Sequence, residues 1–236
     1  MNMKDIKRAE KARIQKNLEY AKAGVAFVDI RRTYISDDAV IGRGTLIYPD
    51  VHLEGDVYIG EDCVIGPGTR IADSRIGDRT KVMNSVVLES RVGSDTSVGP
   101  FAYMRPGSNV GNECKVGDFV EVKNSNIGNG TKASHLTYIG DADVGENVNL
   151  GCGVVFVNYD GTNKFRSTVD DGSFIGCNTN LVAPVHVGSG AYIAAGSTVT
   201  KDVPEGSLHI SRAREVIKEG WAKKSGLFKK SKKYTV

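Results

Sequence analysis

The chain has 236 residues, 40% of them hydrophobic and 25% charged, with a net charge of +3. That charge is too small to argue for a nucleic-acid partner. The first thirty residues are dense in Lys, Arg and Glu and leave no apolar stretch for a signal peptide, and no apolar run is long enough for a membrane partner. Glycine is abundant at 28 residues and aromatics are scarce at 7%, a profile of many tight corners around a narrow interior. Cys63, Cys114, Cys152 and Cys177 lie far apart with no CxxC pair, so free thiols in a reducing cytoplasm are expected rather than disulfides or a zinc site.

In chain order, Met3 to Ala23 reads as a helix rich in Lys, Arg, Glu and Ala, with Gly24 as its stop. Ile6, Ile14 and Leu18 offer a thin apolar stripe, and the plainer expectation is a solvated helix lying against the first coil. From Ile35 the chain repeats in steps of six: Ile41, Ile47, Leu53, Ile59, Ile65 and Ile71. The step slips to Ile76, resumes at Val82, and runs again through Val92, Val98, Met104, Val110, Val116 and Val122. Further shifts lead to Ile127, Ala133 and Ile139, then to Val144, Leu150 and Phe156, and last to Ile175, Leu181, Val187, Ile193 and Val199. Glycine often follows the aliphatic residue, and a small or β-branched residue such as Thr45, Thr69, Thr80 or Thr96 commonly fills the fifth place.

An aliphatic-Gly-x-x-small-x unit is a short strand followed by a corner, with the aliphatic side chain inward and glycine supplying backbone freedom near the corner. Three units close one triangular coil of about eighteen residues, and coils stack at the interstrand spacing of about 4.8 Å. An antiparallel barrel would alternate with period two instead. The expected fold is therefore all-β, a left-handed parallel β-helix with an N-terminal helix and a short C-terminal helix and tail. The expected divisions are an N-terminal helix and linker over 1–33, the β-helix over 34–206, and a C-terminal helix and basic tail over 207–236. A loop insertion is expected over 157–173, where the period fails in a polar, turn-rich stretch too long for a corner. After Pro204 a short amphipathic segment spans Arg212 to Gly220, followed by Trp221 and a lysine-rich tail that includes Lys229, Lys230, Lys232 and Lys233.

Four histidines are present, His52, His135, His186 and His209, and no pair stands five residues apart, so no metal site is expected. His135 has the richest polar neighbourhood. With coils stacked at eighteen residues, Arg105 and Lys123 lie one above the other, and Lys132 and Lys164 come within reach of the same region. Vertically aligned cations suit a phosphate. Tyr138, Asn149 and Asn158 add neutral hydrogen-bonding groups. Glu121, placed near position 139 by the same stacking, is a candidate support for the histidine.

The run from Pro100 to Trp221 resembles the acetyltransferase domain of the GlmU-type bifunctional glucosamine-1-phosphate acetyltransferases and UDP-N-acetylglucosamine pyrophosphorylases. The matching segments are GPFAYMRPGS, VGDFVEVKNSNIG, KASHLTYIGDADVGENVN, NYDGTNKF, NTNLVAPVHVG, AAGSTVTKDV and ISRAREVIKEGW, in that order. The resemblance implies acetyl transfer from acetyl-CoA to the amine of glucosamine 1-phosphate, for UDP-N-acetylglucosamine and cell-wall synthesis, by a cytoplasmic homotrimer with no metal required for the step. It implies His135 as general base, and Arg105, Lys123, Tyr138, Asn149 and Lys164 as sugar-phosphate residues. It implies Cys152, Asn158, Tyr159, Cys177, Ala195 and Arg212 as contacts to acetyl-CoA; members of the family carry alanine and serine where Cys152 and Cys177 stand. The glycine-rich LxxGxGTRM-like nucleotide motif of that family does not occur, so no uridyltransferase domain is expected, and the chain starts at the family's connecting helix. A hexapeptide acetyltransferase for another amino sugar and a non-catalytic β-helix scaffold are the competing readings.

Overall fold

The structure, a computed structural model, describes residues 2–225. Lys229, Lys230, Lys232 and Lys233 of the basic tail lie outside the described residues. Helix α1 spans Met3–Lys22. Its N-cap Asn2 accepts from the backbone of Lys4 and Asp5 at 2.9 and 3.0 Å, while Asp5 accepts from the Asn2 backbone, a reciprocal capping box. The helix docks on the first coil through a polar face rather than the thin apolar stripe: Ile6 and Leu18 are exposed. Asn17 is buried and donates to the Ile30 and Thr33 carbonyls, and the Tyr20 hydroxyl donates to the Ala39 carbonyl. The first coil ends in open backbone carbonyls, which apolar side chains cannot satisfy and these donors can.

Beyond α1 the chain winds into a left-handed parallel β-helix of three sheets with eleven, ten and nine strands. The first face opens with Ala26–Phe27, the second with Thr33–Ile35 and the third with Val40–Ile41. Most strands place one aliphatic side chain on the axis, and Ile47, Ile65, Val82, Val98 and Val116 form one such inward column on the first face. Phe156 is the one fully buried ring among the described residues, in keeping with an interior one side chain wide. The small residues at the corners are buried hydroxyls that tie neighbouring coils together: Thr96 donates to the Gly111 carbonyl at 2.9 Å and accepts from the Cys114 amide at 3.0 Å.

Glycine after the aliphatic residue serves a different purpose from the one expected. A Cβ at Gly117 would sit 1.9 Å from the Ser134 carbonyl oxygen, and one at Gly151 would sit 2.6 Å from the Cys177 amide. Close stacking of coils excludes a side chain there. Left-handed φ occurs instead at other corner positions, many of them Asp or Asn, and at three bulky apolar residues, Phe101, Phe119 and Leu136.

The excursion from the wall is shorter than 157–173. Ser167–Val169 is a strand of the third sheet, paired with Ala142–Val144 and with His186–Val187, and Val169 is fully buried. Thr168 and Val169 simply resume the outward–inward alternation. Across the excursion Asn149 pairs with Phe174, twenty-five positions on, where the coil before pairs Lys132 with Asn149, seventeen on. Only residues 158–166 leave the wall.

The C-terminal helix is also shorter than expected. Residues 212–218 are irregular, and helix α2 covers only Trp221–Lys224. Val216 and Ile217 are each 76% exposed, so no apolar burial offsets the cost of forming a longer helix in this chain.

Candidate active site

His135 ends the first-face strand Lys132–His135, at the corner that leads to the second face. It pairs in register with Asp118 of the preceding coil, whose carboxylate is hydrogen-bonded to its Nδ1. An ionised carboxylate only accepts, so Nδ1 carries a proton, and in the neutral ring Nε2 then holds the lone pair. The bond from His135 holds the Asp118 carboxyl below its usual range. The imidazole side chain is 54% exposed, so Nε2 is open to a ligand. Sequence reasoning named Glu121 as the support. Glu121 aligns with Tyr138 instead and accepts from Arg105 at 2.9 Å.

Below His135, the same corner carries Cys152, Cys177 and Ala195 in successive coils. Their order follows from the pairing of Ala133 with Leu150, Leu150 with Ile175, and Ile175 with Ile193. Arg212 reaches this column from the C-terminal segment and donates to the Ala195 carbonyl at 3.0 Å. Cys152 is half-buried and Cys177 exposed. In the turn at Cys152, the Gly151 and Gly153 amides donate to the Ile175 and Leu136 carbonyls. The Cys152 amide makes no hydrogen bond among the described residues. It is a free backbone donor one coil from the histidine.

On the second face, Lys123 ends the strand Glu121–Lys123 and Arg105 directly follows the neighbouring strand Tyr103–Met104, so the pairing of Met104 with Val122 sets the two cations on adjacent coils. Each cation already faces a carboxylate. Lys123 is 17% exposed in its side chain, and its Nζ donates to both oxygens of Asp141, at 2.9 and 2.8 Å. Asp141 also accepts from Asn124 at 2.7 Å and from the Asn158 amide, which lies 3.4 Å from the Tyr138 hydroxyl. Burial pushes the Asp141 carboxyl up, but the donors Lys123, Asn124 and Asn158 outweigh it and hold it below the usual carboxylate range.

The remaining residues are scattered. Asn149 stands on the first face beside Lys132, and Lys132 is paired with Lys115 and Asn149 rather than with Arg105 or Lys123. Tyr159 and Lys164 face each other as an antiparallel bridge in the loop, and both are exposed. Asp160 closes that hairpin by accepting from the Thr162 and Asn163 amides. Arg166 fastens the loop's exit to the wall. It pairs with Asp143, whose carboxyl it holds low, and donates to the Asn124 and Ala142 carbonyls.

Sequence reasoning missed Asp118, Asp141 and Arg166. The signal for Asp118 was the five-residue step from Val122 to Ile127, which shortens that coil to seventeen and sets Asp118 beside the histidine; the signal for Asp141 was the plain eighteen-residue step from Lys123. Away from this site, a cleft of about 960 Å³ lies between α1 and the second face, lined by Arg13, Lys16, Tyr34 and Glu54, with none of the expected site residues.

Known proteins with similar sequences agree on the repeat. The family described as "Bacterial transferase hexapeptide (six repeats)" matches residues 38–73 and 166–201. The bifunctional protein GlmU of Clostridioides difficile is 56% identical over 201 residues, which is 85% of this chain and 44% of that protein. The GlmU of Clostridium acetobutylicum is 56% identical over 213 residues, or 90% of this chain and 47% of that protein. The chain thus spans about half the length of the curated relatives it matches. A solved structure of an Arabidopsis UDP-N-acetylglucosamine acyltransferase aligns with a TM-score of 0.55 at 17% identity, over 80% of this chain and 70% of that one, a likeness of fold alone.

Proposed function

We propose that this chain, which carries hexapeptide repeats and is 56% identical to GlmU proteins over about half of their length, is a glucosamine-1-phosphate N-acetyltransferase using acetyl-CoA. The observation that carries this is the corner column of His135, Cys152, Cys177, Ala195 and Arg212, with Arg105 and Lys123 at the far end of the adjoining second face. A long thioester arm lies along the column, with Asn158 and Tyr159 of the loop beside it. The sugar phosphate binds Arg105 and Lys123, helped by Lys164, and Tyr138 and Asn149 hold the sugar.

The unprotonated sugar amine attacks the thioester carbonyl. A C–N bond forms, the amine proton passes to His135 Nε2, and the C–S bond breaks as the proton goes on to the thiolate. The Cys152 amide is the donor for the oxyanion. The products are N-acetylglucosamine 1-phosphate, for UDP-N-acetylglucosamine and cell-wall synthesis, and free CoA. Both substrates are cytoplasmic metabolites, and we place the protein there.

The active unit is a homotrimer. Asn149 and Lys123 stand on different faces of one chain, so a second copy must close a site that uses both. Phe101, Phe119 and Leu136, each 56–57% exposed, form an apolar ridge on consecutive coils beside His135, with the two phenylalanine rings stacked 5.5 Å apart. Such a ridge fits an interface between copies.

The test is CoA release by the purified chain with glucosamine 1-phosphate, with glucosamine as control. Turnover that needs the phosphate is expected. Equal turnover with glucosamine points to another amino sugar, and no release with any amino sugar leaves a scaffold role.

A further inference from the structure

Asp141 touches both ends of the loop and the half-buried Lys123. Its carboxylate accepts from Asn158, where the chain leaves the wall, and its backbone carbonyl accepts from the Ser167 amide, where the chain returns. Its oxygen Oδ2 is shared between Lys123 Nζ, at 2.8 Å, and the Asn158 amide. The carboxylate itself is well enclosed: the Asp141 side chain is 10% exposed, Lys123 17%, and Asn158 is buried. An ammonium has three N–H donors, and two point at Asp141, so one remains for a ligand.

We propose that Asp141 is a positioning residue that couples the sugar-phosphate position at Lys123 to the posture of loop 158–166. This rests on the acetyltransferase reading of the site. A phosphate near Lys123 draws the ammonium away from Oδ2. The carboxylate cannot remain under-bonded in a dry site, so it takes up the Asn158 amide more strongly and tightens the base of the loop. The loop carries Asn158, Tyr159 and Lys164, so capture of the sugar phosphate prepares the acyl-donor side. The carboxylate is essential to the relay because every group aimed at it is a donor. An amide in its place presents an N–H to at least one of them.

The full chain and Asp141→Asn are compared by amide hydrogen exchange over 158–167, with glucosamine 1-phosphate and with inorganic phosphate as probes, alongside CoA-release kinetics. In the wild type either probe should slow exchange at Phe165 and Ser167 by about fivefold or more, the range of ordinary coupling between sites. Asp141→Asn should lose that response and raise KM for both substrates. The pH profile of kcat should stay in place, since His135 is paired to Asp118 and not to Asp141. A wild-type loop indifferent to a bound probe, or an Asp141→Asn loop that still responds, overturns the coupling. So does a rise in only one KM. If Asp141→Asn does not fold, Asn158→Ser cuts the same relay from the loop side and leaves the Lys123–Asp141 pair intact. A retained response in that variant also overturns it. Absence of CoA release by the wild type sinks the proposed activity instead, and the exchange response to inorganic phosphate still decides the coupling.

Discussion

Asp118 and His135 stand directly across from each other on neighbouring coils, joined by one hydrogen bond to Nδ1. The carboxylate selects the tautomer that leaves Nε2 basic and holds the ring against the wall. His135→Ala should lower kcat by about 10²–10⁴-fold with little change in acetyl-CoA binding. Asp118→Asn should lower kcat by about 10- to 100-fold at unchanged KM, less than a buried carboxylate–histidine pair gives, because this pair is half exposed. Steady-state kinetics at neutral pH check both. A normal kcat in His135→Ala removes the histidine from the chemistry.

Cys152 follows His135 in the column and is the tempting nucleophile. Transfer to a thiol from a thioester gains no better leaving group, so the direct route is expected. Cys152→Ala should keep most activity, because the backbone amide assigned to the oxyanion survives the change. Initial-rate patterns should require both substrates bound together. An acetyl adduct on Cys152 after acetyl-CoA alone, with activity lost in the alanine variant, overturns this.

Phe119 is in left-handed backbone, where a bulky side chain is strained, and its ring lies outside its own chain's core. Phe119→Asp should therefore leave thermal stability of the isolated chain unchanged or slightly raised, since Asp tolerates that conformation better. It should also shift sedimentation from trimer to monomer and abolish turnover. A trimer that persists with full activity shows that the ridge is not the seam.

Asp141→Asn leaves a nearly buried lysine without its counter-charge and should cost about 1–3 kcal/mol at pH 7. The sign with pH follows from the lowered carboxyl. A group whose pKa is depressed on folding stabilises above its unfolded value, about 3.9, and that contribution disappears as pH falls through the lower folded value. The gap in urea midpoint between wild type and variant should be full at pH 5–7 and shrink below about pH 4. A gap independent of pH assigns the loss to packing rather than charge.

Most of the architecture was legible in the chain itself. A period of six with inward aliphatics admits only one kind of coil, but the column of Cys152, Cys177 and Ala195 crosses the loop, where paired positions stand twenty-five apart, and counting along the chain does not give it. His135 stood out because stacked coils were expected to bring cations such as Arg105 and Lys123 towards its region. Where the count slipped by one residue, at the short step into Ile127, the reading slipped with it. Side chains at a corner change partners with each residue of register, so a seventeen-residue coil set Asp118 beside the histidine, while Glu121 meets Arg105 across a coil of the ordinary eighteen.

By itself, the sequence determined the coil, its axis and which residues line its corners, because inward packing and close stacking act on every repeat alike. The tertiary structure alone decided which charges meet. Asp141 between Lys123 and Asn158, Arg166 on Asp143, and the polar docking of α1 join residues 13 to 23 or more positions apart. A hydrogen bond depends on fractions of an ångström in side-chain reach, which no periodicity encodes. The shape of the loop at 158–166 and the unformed helix at 212–218 were decided the same way, by whether the fold offered each segment a surface on which to pack.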